Sequence, residues 1–197
     1  MSGAVPGPDG KLRCPWGLSA PEYVDYHDGE WGRPIKSRGA VADRKMFERL
    51  TLEAFQSGLS FLIILRKREG FRSAFADFDI PTVAGFVDLD IQRLLADTGI
   101  VRNRAKIEAA IANARAALEL PAGLASYLKQ FTPEPLDTAP KVLGDLRSTA
   151  PESVALAKDL RKRGFKFVGP TTLYALMQAT GMVNDHLADC WVRDAMN

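Results

Sequence analysis

The stretch RKRGFKFVGPTTLYALMQATGMVNDHLADC, Arg161 to Cys190, decides how the chain is read. Three basic residues and Gly164 lead into a short turn, Phe165 to Gly169, and Pro170 then opens an apolar helix that closes at Gly181. Proline suits a first helical position, where its missing N–H would be unpaired anyway, and glycine suits the position just past a helix end. The spacing predicts a helix, a glycine-bounded hairpin over about 158–181, and a second helix. Such a turn can offer backbone N–H groups to an anion such as a DNA phosphate. Asn184, Asp185, His186 and Cys190 follow at once.

Working outward, 197 residues suffice for one compact domain or two small lobes sharing a cleft. The 26 Lys and Arg against 24 Asp and Glu leave a net charge of +2, which says little about partners. Local clusters say more: Arg66–Lys67–Arg68, Arg102 with Arg104 and Lys106, and Arg161–Lys162–Arg163 with Lys166. On helices such clusters are usually a solvated face, so alone they favour nucleic acid only modestly. The expected address is cytoplasmic, with no membrane partner, because no apolar run reaches spanning length and no leader pattern opens the chain. Two cysteines in a reducing compartment read as thiols or metal ligands rather than a disulfide framework.

Residues 1–12 read as a flexible arm and 13–197 as a single all-α domain, without repeat, linker or alternating strand. Arg13 to Gly32 is dense in aromatics and poor in periodicity. Asp43 reads as the N-cap of a helix to about Ser57, on which Met46, Leu50, Glu53 and Ser57 share a face. Gly58–Leu59–Ser60 breaks it. Asp79 and Asp88 start further helices, a long Ala-rich helix covers Arg102 to Leu120, and Thr149 with Glu152 forms a capping-box pattern for a helix to Lys162.

Two constellations bear chemistry. Cys14, His27, His186 and Cys190 are all the Cys and His of the chain, and Cys2His2 is a structural zinc set without a vacancy for activated water. Ordinary thiols and surface histidines are the other reading of the same four. Glu53 interrupts an apolar stripe, so it is either exposed by a local cleft or buried with a partner and a raised pKa, and on spacing alone a boundary residue satisfied by a neighbouring helix end is the favoured reading. Tyr26 and Trp31 could wall such a cleft, which would suit a flat, hydrogen-bonding ligand such as a nucleobase.

Together RCPWG (13–17), YVDYHDGEWG (23–32), LTLEAFQSGLS (50–60), ILRKRE (64–69), GIVRNRAKI (99–107), RGFKFVGPTT (163–172) and NDHLADC (184–190) resemble the DNA-3-methyladenine glycosylase I (Tag) family, over nearly the whole chain. The resemblance implies a helix-hairpin-helix glycosylase fold that flips a damaged base from the duplex. It implies a structural zinc ion on Cys14, His27, His186 and Cys190, clipping the terminal segments together. It places the base-contacting glutamate at Glu53 and the pocket aromatics at Tyr26, Trp31 and Phe61. Gly58 and Leu59 fall on the loop that fills the gap left by the flipped nucleotide, and Gly164, Lys166 and Gly169 on the DNA-binding hairpin. The family usually has Trp where this chain has Phe61, so base stacking should weaken. Asn184 stands where related glycosylases carry a catalytic Asp, with Asp185 one position off. Thr171 stands where lyase-active relatives carry Lys, so no Schiff base is expected.

The implied function is monofunctional: hydrolysis of the N-glycosidic bond of 3-methyladenine in alkylated double-stranded DNA, releasing the free base, by a monomer. A recognition module that binds alkylated DNA without excising is the alternative. A zinc-clipped scaffold for protein partners is a third reading, and it predicts no salt-dependent DNA binding.

Overall fold

The computed structural model describes residues 3–195. Helices dominate: α1 (Pro21–Gly29), α2 (Gly39–Gln56), α3 (Phe61–Arg66), α4 (Arg68–Ala74), α5 (Ile80–Ala84), α6 (Asp88–Ala96), α7 (Arg104–Leu118), α8 (Leu124–Lys129), α9 (Pro151–Lys162), α10 (Pro170–Ala179) and α11 (Trp191–Asp194). None of them is long and apolar enough to cross a membrane. The all-α expectation holds with one addition. β1 (Val5–Pro6), inside the segment read as an arm, pairs antiparallel with β2 (Leu12–Arg13), which straddles its end, Val5 opposite Arg13. Strands two residues long leave no alternation to read. Met1, Ser2, Met196 and Asn197 lie outside the described residues.

The longest helix, α2, is the hub and packs against α3, α7, α8 and α10. Its Met46, Phe47, Leu50 and Phe55 are fully buried. Phe55 meets Phe71 edge-on at 4.8 Å, and Phe75 stacks parallel on Phe78 at 5.9 Å. Each such ring contributes about 2–3 kcal/mol by leaving water. That burial offsets the strain of three successive left-handed residues, Ala76, Asp77 and Phe78, which carry Phe78 into the core. Asp79 then caps α5 by accepting from the Thr82 amide at 3.1 Å, as expected.

Two expected caps fall elsewhere. Asp43 lies inside α2, which begins at Gly39, and its carboxylate accepts from the Ala125 amide at 2.7 Å, capping α8 instead. The box at the start of α9 sits one residue on from Thr149 and Glu152. Pro151 occupies the first turn, which makes Ala150 the cap, and the Ser153 hydroxyl accepts from the Ala150 amide at 2.9 Å.

Candidate functional site: an aromatic pocket beside a Cys/His cluster

Glu53 is 8% exposed, and no hydrogen-bond donor among the described residues reaches its carboxylate. It opens instead on a cavity of about 420 Å³ lined by Trp16, Tyr23, Tyr26, Trp31, Phe61 and Gln178, with Ser19, Gln56, Leu146 and Ala175 at its edges. The structure thus brings Glu53, Tyr26, Trp31 and Phe61 together, from α2, α1, the loop after α1 and the start of α3. Phe61 leans on Tyr26 with ring centres 5.1 Å apart. Burial pushes the Glu53 carboxyl up to about 7, against the nearby Arg49 cation, which pulls it down. Arg49, one turn before Glu53 on α2, is largely buried, ion-pairs with Glu30 and donates to the Tyr26 hydroxyl at 3.4 Å. The hydroxyl proton is thereby left to face the cavity.

On the other side of the aromatic wall stand Cys14, His27, His186 and Cys190, all buried, with their ligand atoms within 4.8 Å of one another. Cys190 Sγ lies 3.5 Å from His27 Nε2 and 3.6 Å from His186 Nδ1, and Cys14 Sγ lies 3.8 Å from His186 Nδ1. A tetrahedral zinc ion with its usual bond lengths sets sulfur and nitrogen about 3.5 Å apart, so the donor set fits one. The remaining ring nitrogens are engaged outward. His27 Nδ1 donates to Asp28 at 2.8 Å, Asp28 is gripped in turn by Arg13, and His186 Nε2 donates to the Trp31 carbonyl at 3.2 Å. The four residues can hold a metal ion.

Trp16 joins the two sites, edge-on to Trp31 at 5.0 Å and to His27 at 5.2 Å. Gly17 beside it must be glycine, because a Cβ there would meet the His27 ring at 2.8 Å. Trp16, Tyr23, Gln178 and Arg49 were absent from the sequence-derived site. The RCPWG and YVDYHDGEWG motifs contained the first two. Nothing in the pattern singled out Gln178 or Arg49, because each matters only through a neighbour from another element.

The turn between α9 and α10 is a tight loop with Gly164 at φ 90°. The Phe165 amide donates to the Leu160 carbonyl at 3.0 Å. The buried Asn113 of α7 clasps Lys166, accepting from its amide at 2.7 Å and donating to its carbonyl at 3.0 Å. The Lys166 N–H is therefore spent, whereas its side chain and those of Arg161 and Lys162 are exposed without a carboxylate partner among the described residues. The turn lies apart from the base-sized cavity. Gly58 (φ 78°) and the exposed Leu59 form the loop between Gln56 and Phe61 at the cavity rim.

Other predicted features resolve as scaffold. Lys106 is buried and donates to the carbonyls of Phe55 and Ser57 at 2.9 and 2.6 Å, closing the C-terminus of α2. Arg66 and Arg68 are paired with Glu22 and with Glu30 and Glu48. Asp185 is 2% exposed and accepts from Tyr174 and Gln178. It does not line the aromatic cavity, and neither does Asn184.

The methyladenine glycosylase family model matches residues 16–194. The DNA-3-methyladenine glycosylase 1 of Escherichia coli (strain K12) is 42% identical over 182 residues, which is 90% of this chain and 95% of the relative. The DNA-3-methyladenine glycosylase of Haemophilus influenzae (strain ATCC 51907 / DSM 11121 / KW20 / Rd) is 42% identical over 186 residues, 90% of this chain and 96% of the relative. A crystal structure of a 3-methyladenine DNA glycosylase I carrying one Tyr-to-Phe substitution, in complex with 3-methyladenine, superposes with a TM-score of 0.85 at 32% identity, covering 94% of this chain and 99% of that one.

Proposed function

The chain belongs to the methyladenine glycosylase family, and from that premise we propose that it excises 3-methyladenine from alkylated DNA, with Glu53 as the recognition carboxylate. It is a repair hydrolase acting on N-glycosyl bonds. The observation that carries the site assignment is the buried Glu53 carboxylate, left without a donor at the floor of an aromatic-walled cavity. A group so placed costs stability and is retained where a ligand completes it.

3-Methyladenine carries a positive charge while attached to the sugar. Cleavage sends the bonding pair to the base, which leaves neutral. Oxocarbenium character develops on the deoxyribose, and water adds at C1′ and gives its proton to solvent. A strong general acid is therefore unnecessary. Ionised Glu53 favours the cationic base electrostatically and accepts its hydrogen bonds, Tyr26 donates, and Trp31 and Phe61 enclose the flipped ring. Phe61 lines the cavity beside Tyr26, so its ring can still pack against a flipped base. Thr171 offers no amine for a lyase step, in keeping with a monofunctional enzyme. The exposed cations at the α9–α10 turn would grip phosphates without reading sequence, in the manner of a helix-hairpin-helix module. Leu59, exposed on the loop between α2 and α3, would fill the vacated stack. We read the Cys/His cluster as a structural zinc site, since the ion would bind all four side chains and tie β2 and α1 to the segment before α11.

Duplex DNA treated with a methylating agent, incubated with the protein and analysed by chromatography for free bases, tests this reading. Release of 3-methyladenine, lowered about 100-fold in Glu53→Gln, is the expected result. Tight DNA binding without release of base would move the protein to the class of recognition modules, and undiminished release by Glu53→Gln would remove Glu53 from its role.

A further inference from the structure

We propose that Gln178, locked by Asp185, is a specificity-determining residue of the pocket: its side-chain carbonyl accepts a hydrogen bond from the exocyclic amine of an adenine-type base and rejects bases with a carbonyl there. This deepens the excision reading and rests on it.

Gln178 sits on α10 between two cavities. It lines the aromatic pocket, whereas Asp185 lines a neighbouring cavity of about 580 Å³. The Gln178 Nε2 donates to Asp185 Oδ2 at 2.8 Å, and the Tyr174 hydroxyl donates to the same oxygen at 2.9 Å. A side-chain amide can ordinarily face either way. Here a carboxylate settles the matter, because it only accepts. Reversing the amide would set Oε1 against Oδ2, two acceptors with no proton between them, inside a site where Asp185 is 2% exposed. The NH2 end is therefore committed to Asp185, and Oε1, which has no donor among the described residues, is the end left for the pocket.

The remaining polar groups of the pocket define what this acceptor selects. Glu53 is a second acceptor. Tyr26 is a donor, because Arg49 already supplies a proton to its oxygen. The Ser19 hydroxyl is spent on the Trp16 carbonyl at 2.7 Å. Gln56 has no side-chain partner among the described residues and can turn either way, so it does not discriminate. Two fixed acceptors side by side, with the Tyr26 and Tyr23 hydroxyls and the Trp16 and Trp31 N–H groups on the walls, suit a purine bearing its amine at C6. An oxopurine such as 3-methylguanine, seated in the same orientation, brings its C6 carbonyl against Oε1, acceptor against acceptor. Sites built to receive a specific hydrogen bond reject the mismatched analogue strongly. Asp185 is then a positioning residue, acting on the base only through the orientation of Gln178.

The test is the ratio of 3-methyladenine to 3-methylguanine released from methylated duplex DNA. Asp185→Asn touches no base, but it offers the amide both a donor and an acceptor and so lets it reverse. The ratio is expected to fall about ten-fold, in line with one base-edge hydrogen bond. Gln178→Leu should lower 3-methyladenine release while sparing 3-methylguanine. Tyr174→Phe removes the other bond to Asp185 without freeing the amide, so it should keep the wild-type ratio whatever it costs in stability. Equal losses for both bases in Asp185→Asn and Gln178→Leu would overturn the proposal. If Asp185→Asn does not fold, an unchanged ratio in Gln178→Leu does so alone. Failure of the excision reading itself looks different, since the wild type would then release neither base. In that case quenching of Trp16 and Trp31 fluorescence by free 3-methyladenine and 3-methylguanine measures the same preference. Equal affinities would overturn it.

Discussion

Tyr26 and His27 are neighbours in α1, yet they serve regions built on opposite terms. Tyr26 faces the aromatic pocket, where the Glu53 carboxylate and the Gln178 carbonyl lack partners among the described residues. His27 faces the Cys/His cluster, where each ring is engaged on both sides and every donor fits one small cation. The same local sequence thus supplies one site that leaves polar groups unpaired and one that uses all of them. Unpaired buried polar groups lower stability and give a ligand something to gain. Saturated ones hold the chain together. The contrast sets a cavity able to receive a ligand against a cluster able to hold an ion.

Dismantling the saturated side should produce the largest effect. Cys190→Ala or His27→Ala removes one of the four clustered donors and, for His27, part of the wall behind Trp16. A loss of about 3–5 kcal/mol is expected, as for a broken buried network, which for a chain of this length lowers the melting temperature by about 10 °C. Calorimetry checks it, and a melting point within 2 °C or so of wild type would show that the cluster does not hold the segments together.

On the unpaired side the stability effect should have the opposite sign. Glu53 ionises at about 7 in the folded chain instead of at its ordinary 4.5. Between those values the folded state keeps a proton that the unfolded chain has released. Stability is therefore full below about 4.5, falls as pH rises through the window and levels off above about 7. Glu53→Gln should be more stable than wild type at pH 8, by up to about 3 kcal/mol, and little changed at pH 4, as denaturant titrations at both values would reveal. Excision by the wild type should rise with pH to a plateau above about 7, following ionisation of Glu53. Arg49→Met removes the cation that pulls this carboxyl down, so the midpoint of kcat/KM should move to higher pH. A midpoint that stays put would detach Arg49 from the pocket.

The smallest effect belongs to the exposed turn. Lys166→Ala should weaken DNA binding about equally across flanking sequences and reduce the slope of log affinity against log salt by about one, as fluorescence anisotropy at several ionic strengths can measure. An unchanged slope would place the DNA elsewhere.

Much of this was legible along the chain because it rests on local chemistry. Pro170 and Gly181 bracket α10 since proline and glycine act on their own backbone, and α9 ends at Lys162, just before the glycine turn. Asp43 was misplaced because a cap depends on which helix end the carboxylate reaches, and Ala125 is 82 residues away. The Thr149 box missed by one residue because the proline, rather than the threonine, sets the register. Lys106 looked like part of a basic cluster, yet it closes a helix end in the interior.

The sequence by itself determined the all-helical class, the hairpin, the Cys2His2 inventory and an odd carboxylate in an apolar stripe, because periodicity, turn chemistry and residue count are properties of short segments. Only the tertiary structure decided which polar groups are left unpaired. Satisfaction of a buried donor or acceptor depends on atoms brought from distant segments to within about 3 Å, and no spacing along the chain records that distance. Asn113 on the Lys166 backbone, Arg49 beneath Tyr26 and Asp185 behind Gln178 each belong to that second kind.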